Sequence, residues 1–122
     1  MRYMLNFFPT EEGGWQEIPP EQLREGLKVW EDFNRQATDA GVYIAGDGLQ
    51  HSETATTMKI GEGSDRMVTD GPFAETKEQL GGFVLLECAD LDEALDWARK
   101  VPLGEGGSIE VRPVMDWSQF TG

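Results

Sequence analysis

The sequence predicts an α+β fold in which two helices cover one face of a mainly antiparallel sheet. Three observations carry this prediction. Residues 20–37 and 90–101 each repeat apolar side chains at helical spacing. Short runs rich in β-branched and aromatic residues flank both helices. Two of those runs, TATTMKI and RMVTD, are separated only by the turn GEGSD and read as a hairpin between the helices. The predicted order is β-α-β-β-(β)-β-α-β, a ferredoxin-like arrangement.

Each element has a local reason. RYMLNFF (residues 2–8) is the first strand, a short apolar run closed by Pro9. TEEGGWQEIPP (residues 10–20) is a loop, because its glycines, prolines and polar positions stop regular structure. Pro19 and Pro20 lead into the first helix, where proline is tolerated and Glu21 suits the positive end of the dipole. Leu23, Leu27, Trp30, Phe33 or Asn34, and Ala37 form its apolar stripe, and the helix ends near Gly41. GVYIAGDGL (residues 41–49) is a strand whose glycines signal a bulge or a close backbone approach.

GGFVLLECA (residues 81–89) is the most hydrophobic strand and is expected at the centre. Asp90 and Glu93 form a capping box for the second helix. Its stripe is Leu91, Ala94, Leu95, Ala98 and Val101, and Pro102 stops it. SIEVRPVM (residues 108–115) is the last strand. With both helices on one face, the other face is left open. Phe83, Leu85 and Glu87 oppose Val84, Leu86 and Cys88, and Ser108, Glu110, Arg112 and Val114 oppose Ile109, Val111, Pro113 and Met115. Large apolar groups on an uncovered face predict a homodimer in which two sheets meet.

The 122 residues suit one domain, residues 1–122, and 39% of them are apolar, enough for a core without staples. Twenty-three acids against 10 bases give a net charge of −13, which repels phosphate backbones and argues against direct nucleic-acid binding. No apolar run reaches the ~18 residues of a membrane span, and the apolar run of MRYMLNFF is too short for a signal peptide, so a cytoplasmic protein is expected. The single cysteine, Cys88, sits in an apolar run and reads as a buried, inert thiol. One histidine, one cysteine and scattered carboxylates make no zinc ligand set, and neither GEGGS nor GDG has the context of a phosphate loop. No cofactor and no metal are expected.

The block DGPFAETKEQLGGF (residues 70–83) resembles the DGPF subgroup of the YCII-related (YciI-like) family. The likeness runs nearly the whole chain: the opening strand, AGDGLQ at 45–50, TATT at 54–57 and EVRPV at 110–114. It implies the fold already read from periodicity, in a dimeric α/β-barrel assembly. In YciI-like proteins a helix histidine paired with an aspartate is the proposed catalytic dyad, and one branch includes a dehydrochlorinase of a chlorinated aromatic. The aspartate's counterpart is Asp39, but the histidine would fall near Leu27, where this sequence has none. Dehydrochlorinase activity is therefore not carried over. DGPF proteins are often encoded beside extracytoplasmic-function sigma factors, which implies an accessory or regulatory role.

Within that block two readings stand side by side. Gly71 and Pro72 make a turn, Asp70 can accept from amides two residues on, and Phe73 can plug the loop to the body. Alternatively Asp70, Phe73, Glu75, Lys77 and Gln79 border a ligand cleft, where a carboxylate beside an ammonium holds a polar ligand or relays a proton. His51 is the only histidine; it is either an exposed loop residue or a general base oriented by Glu53, Asp47 or Asp70. Glu87, Glu110 and Arg112 are charges within strands. They serve as an interface ion pair or line a polar cavity between two sheets, which Asn6 and Met4 would border. The function expected is binding of a small organic ligand in an accessory role. The alternative is a cofactor-free lyase, isomerase or dehalogenase-like enzyme using Asp70, His51 and Asp39 as acid–base groups.

Overall fold

The centre of the molecule is a strand pair, β1 (Arg2–Phe8) and β5 (Gly82–Glu87), in a computed structural model that describes residues 1–10, 18–74, 76 and 78–121. Most of the loop expected at residues 10–20 (residues 11–17) lies outside the described residues, as do Glu75 and Lys77. Alternation decides the faces of β1: Tyr3, Leu5 and Phe7 are buried, while Met4, Asn6 and Phe8 are half-buried on the other side. The remaining elements in chain order are α1 (Pro20–Asp39), β2 (Tyr43–Gly48), β3 (Thr56–Ile60), β4 (Arg66–Asp70), α2 (Leu91–Ala98), β6 (Ser108–Pro113) and α3 (Ser118–Thr121).

The sheet runs β2-β5-β1-β6 and every neighbouring pair is antiparallel. The connection through α1 skips over β5, and the one through α2 skips over β1. This is the ferredoxin-like α+β topology predicted from the pattern. Both helices pack on one face: Phe33 and Ala37 of α1 and Ala94 of α2 join Leu5, Phe7, Val84 and Leu86 in the buried core, with Val101 just past α2. An aromatic chain runs through it, Phe7 to Trp30 at 5.2 Å, Trp30 to Phe33 at 6.3 Å and Phe33 to Trp97 at 6.1 Å between centroids.

Local signals explain the helix ends. Pro20 is the first residue of α1, and the helix closes through Ala40 and Gly41, whose φ of 76° a side chain would resist. Asp90 accepts the Glu93 amide at 2.9 Å and the Glu93 carboxylate accepts the Ala89 amide at 3.2 Å, a slightly displaced capping box. α2 ends three residues before Val101, which is held instead by a turn bond from its amide to the Ala98 carbonyl at 3.2 Å. Its side chain still reaches the core, so the stripe predicted the burial but overran the helix.

Two features depart from the predicted order in detail. β3 and β4 pair as the expected hairpin, but they form a separate two-stranded sheet. The short α3 was not foreseen. On β2 both readings of the glycine-rich stretch are realised at different places. The register shifts between Tyr43 and Ala45, and a Cβ at Gly46 would lie 2.9 Å from the Phe83 carbonyl oxygen.

Candidate functional site

The register of β2 on β5 places Gly46 opposite Val84 and Gly48 opposite Gly82, all on the helix-facing side of the sheet. Glycine projects nothing toward α1, so the core stops short at this end of the sheet. The result is a cleft of about 440 Å³. Its floor is the glycine backbone of β2 and β5. One wall is α1 with Leu27, Trp30 and Asn34, and the segment Pro102–Leu103–Gly104 closes the end. This explains why Leu27, on the predicted stripe, is 58% exposed: it overhangs the cleft instead of entering the core. Asn34, the other member of the pair at 33 and 34, brings an amide to an otherwise apolar wall. The glycines of AGDG were the available sequence signal, but the partner glycine at 82 is linked to them only by strand register.

The open face holds a second group. Asn6 donates to the Glu110 carboxylate at 3.2 Å, and Arg112 donates to its other oxygen at 2.9 Å. Arg112, then Asn6, hold the Glu110 carboxyl below its usual range by bonding its charged form. Met4, Phe8, Phe83 and Leu85 surround this polar strip and stay half-buried. Beside it the loop after β4 comes back across the sheet edge: Thr10 bridges Glu78, and the Ser108 hydroxyl lies 3.3 Å from a Glu78 oxygen. A shallow groove of about 620 Å³ runs between Phe8, Thr76, Glu78, Ser108 and Glu110. The loop and the strand charges are thus neighbours.

Within the loop most polar groups brace the loop itself. Gly71, with φ 98°, donates its amide to the Ala55 carbonyl at 2.7 Å, and its own carbonyl accepts the Thr57 hydroxyl at 2.7 Å. Gln79 donates to the Ala74 carbonyl at 2.6 Å. Asp70 is exposed at the end of β4, and its carboxylate accepts no amide among the described residues; the turn is tied by backbone instead. Phe73 is 84% exposed, so the expected plug into the body is not formed within this chain. Glu75 and Lys77 lie outside the described residues.

The acid–base candidates do not converge on the cleft. His51 is half-buried, and its Nδ1 accepts the Glu53 amide at 3.2 Å, capping a short 3-10 turn at Ser52–Thr54. Asp39 ends α1 beside the Tyr43 end of β2, whereas His51 follows the Gly48 end. At ~3.3 Å per residue the intervening strand is itself roughly 16 Å long. Asp70 lies nearer His51, because Gly71 bonds to Ala55 directly after the 3-10 turn. None of the three lines the cleft. Glu87 pairs with the Met1 amino group at 3.1 Å. Cys88 is buried, and burial first, then Glu93, push its thiol up to about 11, which leaves it protonated and unreactive.

No helix among the described residues is long and apolar enough to cross a membrane. Comparison with known proteins adds kinship. An uncharacterised protein of Rhizobium meliloti (strain 1021) is 40% identical over 102 residues, which cover 82% of this chain and 79% of the relative. The model of the YCII-related domain matches residues 1–118. The protein belongs to the YCII-related family.

Proposed function

We propose that this protein binds a small organic molecule in the cleft between α1 and the glycine end of the sheet, and that it serves an accessory or regulatory role. The observation that carries this is the cleft itself, about 440 Å³ and walled by Trp30, Phe33 and Leu27 with one amide, Asn34. Its size falls among small-molecule sites, at ~300–1,000 Å³, and apolar walls with few polar groups are their usual make-up. Asp70, His51 and Asp39 stand outside it, which favours binding over acid–base chemistry there. The groove beside Glu110, Glu78 and the DGPF loop is a weaker second position, being shallow and open. A role alongside extracytoplasmic-function sigma factors fits a ligand-binding module of the DGPF subgroup.

The same reading includes a homodimer through the open sheet face. Half-buried Met4, Phe8, Phe83 and Leu85 support it, together with the Asn6–Glu110–Arg112 strip that a second copy would cover.

A thermal-shift screen of small neutral and acidic compounds tests the cleft. A hit should lose its shift in Leu27→Trp, which fills the cleft from an exposed position, and keep it in Asp70→Asn and His51→Ala. The opposite pattern would move the site to the loop.

A further inference from the structure

We infer that the cleft takes a flat, uncharged ring system, and that Gly48 and Gly104 set the thickness it admits; this deepens the proposed cleft binding and rests on it. Among the described glycines, most have a structural reason for lacking a side chain. Gly41, Gly63, Gly71 and Gly106 have φ between 61° and 98°. At Gly46 and Gly82 a Cβ would come within 2.9 Å and 2.8 Å of a backbone oxygen, and at Gly81 within 2.7 Å of Pro9. Gly61 and Gly107 also have close neighbours.

Gly48 and Gly104 have neither reason. Both have ordinary φ, and an added Cβ would meet nothing within 4 Å. Gly26 on α1 shares that freedom but stands off the lining, whereas Gly48 and Gly104 are both on it. Glycine in a strand costs roughly 0.5–1 kcal/mol relative to alanine. At Gly48 the fold recovers none of that, but the open space does: close approach of a ligand to bare backbone is the remaining use of such a position.

The shape follows from what faces what. Gly48 and Gly82 are directly cross-strand, so their peptide groups form a bare floor on the side toward α1. Trp30, held by contacts to Phe7 and Phe33, lines the same cleft. A cleft lined by bare backbone and an aromatic ring fits a planar ring better than a puckered or branched skeleton. The lining supplies no counter-charge for an ion. Asp47 is the one ionisable residue on the lining, yet its register with Phe83 sends its side chain toward the other face. The net charge of −13 further disfavours anions. Asn34 remains to bond one hydroxyl or amine of the ring.

The test is calorimetric titration of the full chain with 2-naphthol, its saturated counterpart decahydro-2-naphthol, and 2-naphthoate. 2-Naphthol should bind at least ~10-fold more tightly than either comparison compound, a gap of about 1.4 kcal/mol. Gly48→Leu, shown by circular dichroism to be folded, should weaken it by a similar factor; Gly104→Leu probes the same gap if Gly48→Leu does not fold. Equal or tighter binding of the saturated compound, lost in Gly48→Leu, would overturn the flat-ring inference while leaving the cleft as the site. Equal or tighter binding of 2-naphthoate would overturn the exclusion of charge. Undiminished 2-naphthol binding in the folded variants, or no binding of any probe to the wild type, would overturn both the inference and the cleft reading.

Discussion

On β5, Val84 and Leu86 point to the helices and are 2% and 0% exposed, whereas Phe83 and Leu85 point the other way and stay half-buried. All four side chains are large and apolar, so residue type does not separate the two faces. What separates them is that α1 and α2 cover one face and no described element of this chain packs across the other. One strand thus records two degrees of burial, one completed by this chain's helices and one left partial. The predictions below ask how different those two faces are.

The largest effect belongs to the covered face. Leu86 is fully buried against Tyr3 in the register of β1 and among the core residues of both helices. Leu86→Ala should cost ~2–5 kcal/mol, because it removes transfer energy and leaves a cavity that close-packed neighbours cannot fill. Urea titration measures it. A loss below 1 kcal/mol would mean that the core at this point is not tightly packed.

Leu85, one residue away, should behave differently. Leu85→Glu puts a charge on the open face, where the isolated chain tolerates it. In a sheet-to-sheet dimer the same charge is buried, so dissociation should rise by at least ~10-fold, about 1.4 kcal/mol. Analytical ultracentrifugation over a dilution series reads this directly. A monomer for both wild type and variant at all concentrations would refute the proposed dimer and make the open face merely exposed.

This contrast also shows what the sequence could and could not tell. Alternation in GGFVLLECA separated the two faces of β5 correctly, because period-2 burial is local and needs no knowledge of partners. Spacing likewise placed Ala37 and Ala94 in the core, and of Phe33 or Asn34 the structure buries Phe33. Spacing failed at Leu27, which keeps helical phase but lines the cleft with Gly48 and Gly82, residues 34 positions apart that meet only through strand register. A cleft made by missing side chains leaves little local pattern beyond the glycines of AGDG, whereas the charged loop is conspicuous in the sequence. The fate of Phe73 was illegible for a related reason: an aromatic in a turn looks the same whether it packs inward or points to solvent.

A smaller effect tests the covering itself. Asp90 caps α2 through the Glu93 amide at 2.9 Å. Asp90→Ala should lower stability by ~1 kcal/mol, and Asp90→Asn or Asp90→Ser should restore most of it. Equal losses in all three would point to the charge, and not to the cap, as the source.

The smallest effect lies on the open face and depends on pH. Arg112 and Asn6 bond the ionised Glu110 carboxyl and lower its folded-state value below the usual 4.5. The sign then follows from linkage. Above the unfolded carboxylate value the stabilisation is fully present. As pH falls below it, the unfolded chain takes up the proton first, and the contribution fades until the folded group protonates too. Glu110→Gln should therefore melt slightly below the wild type near neutrality, with the gap narrowing as pH drops from 4.5. Because the pair is solvent-screened in the single chain, the gap should be small and shrink with salt. A second copy laid over the strip would remove that screening. A gap that is large and salt-insensitive at dimer-forming concentrations, but small on dilution, would place Glu110 inside the interface; a gap unchanged by concentration would leave it outside.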